Sequence, residues 1–189
     1  MKISITQRVI DFRNGPYDSL DHGFYNMFSN HELLPIPNNL EHFDTSKIVN
    51  SDLVVFSGGN SLIKGNWQYN AQRLRIEQHT LDLARLYNIP ILGISKGCQF
   101  LTVSLGGSIK ETDRHSTNHN VYYNGDTIEV CSRHTELLNS IPLGATSLAK
   151  DDQGYCESWK LDNIITVLWH PERMKTNWLP CEAYGVLGL

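Results

Sequence analysis

The sequence predicts a single-domain α/β fold over residues 1–189, and three observations carry that prediction. Short apolar runs alternate with amphipathic stretches through the first hundred residues. A Gly-rich junction, Gly93-Ile94-Ser95-Lys96-Gly97, joins one such run to a helical stretch. After Gly107 the chain changes to β-like runs separated by turns. Alternation argues for parallel βαβ units, and the second half is expected to add antiparallel strands to the same sheet. With 189 residues, 40% hydrophobic and 19% charged, the chain is long and apolar enough for a packed core.

In chain order, Lys2 to Arg8 reads as a first strand with Ile3 and Ile5 on one face. Asn14-Gly15-Pro16 is a turn signal. Leu20, Phe24, Met27 and Phe28 suggest an amphipathic helix from Tyr17 to Asn30. Glu32 to Pro37 reads as a strand, Asp44 to Asn50 as a short helix, and Leu53 to Phe56 as a compact buried strand. The loop Ser57-Gly58-Gly59-Asn60 lets the backbone approach another group closely, but lacks the Gly-Lys-Ser/Thr ending of a phosphate loop. Trp67 to Asn88 is the longest helix expected, with Leu74, Leu81, Ala84 and Tyr87 on its apolar stripe. Ile91 to Ile94 is the strand before the Gly-rich junction, and Gly106-Gly107 stops the helix after it. Tyr122-Tyr123, Thr127 to Val130 and Ile164 to Leu168 are the later strands, with Asn124-Gly125-Asp126 as a hairpin turn. Leu179 to Leu189 shows no clear closing helix.

Composition narrows the function. A net charge of −4 gives no electrostatic reason to expect a nucleic-acid partner. No run has transmembrane length, and the opening Met1-Lys2-Ile3-Ser4-Ile5 lacks a signal peptide's apolar core, so no membrane partner is expected and the location is read as cytoplasmic. Cys98, Cys131, Cys156 and Cys181 show no paired metal spacing and read as reduced thiols, Cys98 as a packing residue. His115 and His119 flank a polar stretch with Asp113 as the nearest acid, too little for a metal site; no metal and no cofactor are expected.

Two stretches carry chemistry. Gly93 to Gly97 fits G-x-S-x-G, a strand-to-helix elbow that exposes a nucleophile where backbone N–H groups at a helix start can receive negative charge. The alternative is an ordinary Gly-rich βα turn. Trp169-His170-Pro171-Glu172-Arg173 follows the last strand, and in an extended chain His170 and Glu172 share a face. A carboxylate beside an imidazole fixes its tautomer, as a general base requires; a surface histidine with a nearby acid is the bland alternative.

Together, Leu53 to Asn60, Gly93 to Gln99 and Trp169 to Arg173 resemble, in order, the oxyanion loop, elbow and His-x-Glu segment of class I glutamine-amidotransferase-like proteins. The order nucleophile, histidine, glutamate separates this pattern from α/β-hydrolases, where the acid precedes the histidine. Ile5 to Val9, Tyr17 to Asp21 and the Trp-His-Pro-Glu-Arg ending resemble the free-standing γ-glutamyl hydrolases within the family. The resemblance implies a three-layer α/β/α, flavodoxin-like fold and hydrolysis of a γ-glutamyl amide through a covalent γ-glutamyl-enzyme. The substrate it implies is a small γ-glutamyl molecule, cytidine-nucleotide-linked in the nearest subgroup, used in making nucleotides for surface polysaccharide.

By resemblance, Ser95, His170 and Glu172 are the catalytic set, and the backbone N–H groups of Gly59 and Lys96 hold the oxyanion. Gln99, Ser132, Arg133 and His134 are the substrate-binding candidates, and Asp18, Asp21 and His22 are candidates for leaving-group selection. For Arg133 a solvated surface cation weighs equally. The family places cysteine where this chain has Ser95. An engineered Cys→Ser change, a serine that acts, and a natural loss of activity all fit; the otherwise intact motifs favour the first, an impaired form of a working hydrolase. A glutaminase subunit feeding ammonia to a synthase and a non-catalytic γ-glutamyl binding protein are the rival functions. Nothing in the sequence fixes an oligomeric state.

Overall fold

The computed structural model describes residues 1–13, 15–63, 67–113 and 116–189, and of residues 67 and 68 the backbone alone. The expected turn residue Asn14 and the candidate His115 lie outside the described residues. In chain order the elements begin with β1 (Lys2–Thr6), β2 (Arg8–Phe12), β3 (Gly15–Ser19), α1 (His22–Met27), β4 (Glu32–Ile36), α2 (Thr45–Val49) and β5 (Leu53–Phe56). They continue with α3 (Trp67–Leu86), β6 (Ile91–Ile94), α4 (Lys96–Ser104), β7 (Ser108–Glu111), β8 (His119–Tyr123) and β9 (Asp126–Val130). The chain closes with β10 (Glu136–Ser140), β11 (Thr146–Lys150), β12 (Cys156–Leu161), β13 (Ile164–Val167) and α5 (Cys181–Leu187).

The central sheet runs β4-β1-β5-β6-β13-β12-β11-β8-β9. From β4 to β13 neighbouring strands are parallel, and from β12 to β9 they are antiparallel. Period-two alternation divides the core between the two faces of this sheet. Leu53 and Val55 of β5 pack with Phe24 and Phe28 and with Ala183 and Leu187 of α5. Val54 and Phe56 pack on the other side with Ile76 and Leu81 of α3 and Phe100 and Leu101 of α4. The result is a single-domain, three-layer α/β fold.

Two expected elements change. The stretch from Lys2 to Arg8 is not one strand: the chain leaves the sheet at Gln7, and β2 pairs with β3 as a separate hairpin. That hairpin takes residues from the expected helix at Tyr17 to Asn30, which shrinks to α1 and starts where Asp21 accepts from the Gly23 N–H at 2.9 Å. Apolar spacing alone could not show that Tyr17 faces a strand partner, Ile10. The C-terminal stretch does form a helix, α5, ended by Gly188 in the left-handed conformation at φ 70°. Its apolar face is short, with Ala183 and Leu187 buried, so its pattern is faint in the sequence.

Candidate active site

The parallel strands end on one side of the sheet, and the site grows from the loops that follow them. After β1 comes Arg8, after β5 the Ser57–Asn60 loop, after β6 Ser95, and after β13 His170. Ser95 is the turn itself. Its backbone sits at φ 53°, ψ −110°, outside the ordinary regions for a residue with a side chain. The turn is clamped from both sides: the Ser95 N–H donates to the Val167 carbonyl at 2.8 Å, and the Ser95 carbonyl accepts from the Gln99 N–H at 3.0 Å. Gly97 fits because a Cβ there would lie 2.0 Å from the Phe56 carbonyl oxygen, so α4 crosses the end of β5 at a distance only glycine allows. This is a strained strand-to-helix elbow rather than a relaxed βα turn.

His170 and Glu172 meet, though not in the expected extended chain. Pro171–Arg173 form a single 3-10 turn after β13, and within it His170 Nδ1 lies 2.7 Å from Glu172 Oε1. Proline at the first position of that turn suits its fixed φ. Both residues are buried, and α1 packs on the turn so closely that a Cβ at Gly23 would sit 2.3 Å from the Glu172 carbonyl oxygen. His170 also borders the loop after β5, where a Cβ on Gly58 would meet its Cε1 at 2.8 Å and the Ser95 Cβ at 3.5 Å. The glycine loop therefore lies against both the elbow and the imidazole. Gly59, at φ 134°, presents its backbone in a conformation that favours glycine.

Beneath this surface lies a buried charge cluster that sequence reading missed. Arg73 on α3 donates to the Ser57 carbonyl at 2.9 Å and the Gly58 carbonyl at 3.1 Å, and its Nε donates to Glu77 at 2.9 Å. Glu77 also pairs with the Lys96 ammonium. Burial, with the Arg73 charge second, pushes Lys96 down to about 7 against the opposing pull of Glu77. The Arg73–Glu77 spacing of four on the expected helix was the available signal. The Lys96 side chain thus belongs to the floor, while its backbone N–H opens α4 beside Ser95.

Above the floor is a cavity of about 560 Å³, lined by Arg8, Val9, Ile10, Asp11, Gly59, Asn60, Ser95, Arg133, His170 and Arg173. Of the four substrate-binding candidates, Arg133 lines it and the others do not. Alternation along Ser132-Arg133-His134 turns Ser132 and His134 inward and Arg133 outward. Gln99 donates to the Glu136 carbonyl at 3.1 Å, and His134 Nδ1 lies 3.0 Å from that same oxygen, so these two brace the segment that carries Arg133. Asp21 holds Arg173, which donates to it from Nε at 3.1 Å and from an Nη at 2.9 Å; Asp18 accepts from Asn38, and neither acid lines the cavity. His22 opens α1 and does not line the cavity either.

His119 is not an isolated loop residue. Its Nε2 and that of His134 each lie 3.6 Å from Glu157 Oε2, and these three are the grouping among the described residues that could hold a metal ion. Burial would lower His119, but the Glu157 carboxylate outweighs it and raises the imidazole above its ordinary value. Cys98 is fully buried, and desolvation pushes its thiol far above the usual range, in keeping with the packing role expected of it. All four cysteines are free.

Residues 8–179 match the family described as glutamine amidotransferase class-I. The chain belongs to that family. The γ-glutamyl-CDP-amidate hydrolase of Campylobacter jejuni is 27% identical over 185 residues, covering 92% of this chain and 90% of the relative. A Schizosaccharomyces pombe protein named as a glutamine amidotransferase is 28% identical over 158 residues, and there the match spans 65% of this chain and 62% of the relative. Among solved structures, a Thermotoga maritima glutamine amidotransferase superposes with a TM-score of 0.67 at 17% identity, covering 97% of this chain and 82% of its own. A Thermoplasma acidophilum protein described as part of a GMP synthase superposes with a TM-score of 0.72 at 18% identity, covering 99% of this chain and 92% of its own. These likenesses establish the fold. Among the described residues no helix is long and apolar enough to cross a membrane.

Proposed function

We propose that this protein is built to hydrolyse γ-glutamyl amides through a γ-glutamyl-enzyme at position 95, and that Ser95 slows the reaction. The observation that carries the reading is the convergence of an elbow residue held at φ 53° with a 2.7 Å imidazole–carboxylate pair across a glycine loop. His170 takes the proton of the attacking group and returns one to the departing nitrogen. Glu172 keeps the imidazole oriented and stabilises its charged form. The Gly59 and Lys96 N–H groups receive the oxyanion, each such donor being worth about 2.7–4 kcal/mol in comparable sites. Water then releases glutamate. The clamp on the elbow and its buried pair suit a thiolate, which forms near pH 8.5 in water, better than a hydroxyl, which needs a stronger base.

A nucleotide-linked amide is the substrate class we favour, because the Campylobacter relative that matches nearly end to end carries that activity in its name. The test is a substrate panel offered to the Ser95→Cys protein: γ-glutamyl-CDP-amidate, L-glutamine and the α-linked isomer of a γ-glutamyl amide. Hydrolysis raised by orders of magnitude over the serine form, confined to γ-linkage and fastest with the nucleotide amide, supports the reading. A preference for glutamine, enhanced by a copurifying synthase, would favour the ammonia-supplying alternative. Absence of hydrolysis with tight γ-glutamyl binding would favour a binding protein.

A further inference from the structure

The cavity over Ser95 carries more positive charge than a glutamyl group can use. Arg8, Arg133 and Arg173 line it against one carboxylate, Asp11. A γ-glutamyl group brings one α-carboxylate and one α-ammonium, which together cancel. Asp11 can answer the α-ammonium and one guanidinium the α-carboxylate; two guanidiniums remain, with Asp21 in the adjoining crevice.

The three arginines are not equivalent. Arg173 is paired through Asp21 at 2.9 Å, and its Nε lies 3.6 Å from Glu172. Arg133 donates to the backbone carbonyls of Ser132 at 2.8 Å and Ser116 at 3.3 Å, contacts that fix the side chain without cancelling its charge. Arg8 lies between the cavity and a smaller crevice that reaches His170 and Glu172, and it lines both. Its Nε is buried with no hydrogen-bond partner among the described residues. Arg73 makes the contrast: a buried guanidinium that donates to two backbone carbonyls and a carboxylate. A buried donor without a partner costs stability unless something else supplies the acceptor.

The backbone around Arg8 is held firmly. The Asn60 side chain grips Val9 at both ends, accepting from its N–H at 3.0 Å and donating to its carbonyl at 2.8 Å. Asn38 donates to the Gln7 carbonyl at 3.0 Å and to Asp18 of the returning strand at 2.7 Å. At Gly59 an added Cβ would meet the Arg8 Cβ at 2.5 Å, so Arg8 rests directly on the loop that is to hold the oxyanion. Arg8 therefore stands at a fixed place against the Gly59 loop, and its guanidinium is of a kind suited to phosphate or carboxylate oxygens.

We propose that Arg8 and Arg133 form a subsite for an anionic group on the leaving side of the amide. The inference rests on the γ-glutamyl amide reading of the same site and deepens it by making leaving-group charge the basis of selection. A phosphoryl group and the terminal carboxylate of a γ-glutamyl peptide both offer this chemistry. Two or more guanidiniums suit the greater charge of phosphate.

Two measurements test it, one without catalysis. Inorganic pyrophosphate is titrated into the Ser95 protein by calorimetry at low and high salt. Binding should weaken at least tenfold in Arg8→Met and in Arg133→Met, with Arg8→Lys intermediate because it keeps charge and loses the fork. Arg133 is exposed, so its variant keeps the test open should Arg8→Met not fold. In the Ser95→Cys protein, the kcat/KM ratio of γ-glutamyl-CDP-amidate to L-glutamine should fall at least tenfold on Arg8→Met. The same ratio measured with γ-glutamylglycine identifies the source of the anion: phosphoryl if the nucleotide amide is favoured over the dipeptide, carboxylate if the order reverses. No pyrophosphate binding, or equal binding and equal selectivity in all variants, overturns the subsite. Should Ser95→Cys hydrolyse no γ-glutamyl amide, the reaction class fails, while Arg8-dependent pyrophosphate binding still reports the subsite.

Discussion

The floor and the rim of the site are built on opposite terms. In the floor every strong polar group is used: Arg73, Glu77 and Lys96 share charge beneath the elbow, and Arg73 holds two carbonyls of the glycine loop. On the rim the β2–β3 hairpin leaves Phe12 and Tyr17 each 54% exposed, with Arg8 and Arg133 outside any carboxylate pair among the described residues. Groups that satisfy one another set the shape of a site. Groups left with capacity are those that can answer a ligand. Loss of a floor residue should therefore cost folding, and loss of a rim residue should cost recognition while the fold survives.

The largest effect should fall between the two, on chemistry alone. In the Ser95→Cys protein, His170→Ala should lower kcat by roughly 10²–10⁴ with little change in KM, read by steady-state kinetics. Glu172→Gln should cost less, because the imidazole can still accept a proton. Next comes the floor. Arg73→Met removes the donor to the Ser57 and Gly58 carbonyls and leaves Glu77 with Lys96 alone; denaturant unfolding should show a loss of about 3 kcal/mol or more. Gly97→Ala should cost about 1–3 kcal/mol by forcing α4 off the end of β5. On the rim, Phe12→Ser should stay within about 0.5 kcal/mol of the parent. A rim as costly to disturb as the floor would erase the distinction.

The smallest expected effect carries a pH signature. His119 is raised in the folded protein by Glu157, so its stabilising contribution is full below the unfolded value of about 6.5 and disappears as pH rises through the folded value. The melting temperature lost in His119→Gln should accordingly be greater at acid pH than at mildly alkaline pH. An equal loss at both would assign His119 a packing role only.

The parts of this molecule that could be read from sequence are those governed by short-range rules. The parallel strands announce themselves as apolar runs, and Gly93 to Gly97 carries its turn chemistry in five consecutive residues. His170 and Glu172 are two apart, so either an extended chain or a 3-10 turn could bring them together; the pair was legible and its backbone was not. Arg73 and Arg8 were missed because their partners, the loop after β5 and the return strand β3, come near only through tertiary packing. Gln99, Ser132 and His134 were given to the substrate by motif position, and burial moved them behind the wall that Arg133 faces. The strands β7 and β10 to β12 went unread because their polar, bulged pairings mute the alternation, as at Leu138/Ser140 and Ser147/Ala149.

The central claim is that position 95 is where the glutamyl group becomes covalently bound. The direct measurement is peptide mapping of the Ser95→Cys protein, acid-quenched while it turns over a γ-glutamyl amide. A single glutamyl adduct on the peptide, fragmented to residue 95 and absent from the His170→Ala variant, is the result expected. Turnover with the adduct on Cys98, or hydrolysis that persists unchanged when residue 95 is alanine, would contradict it.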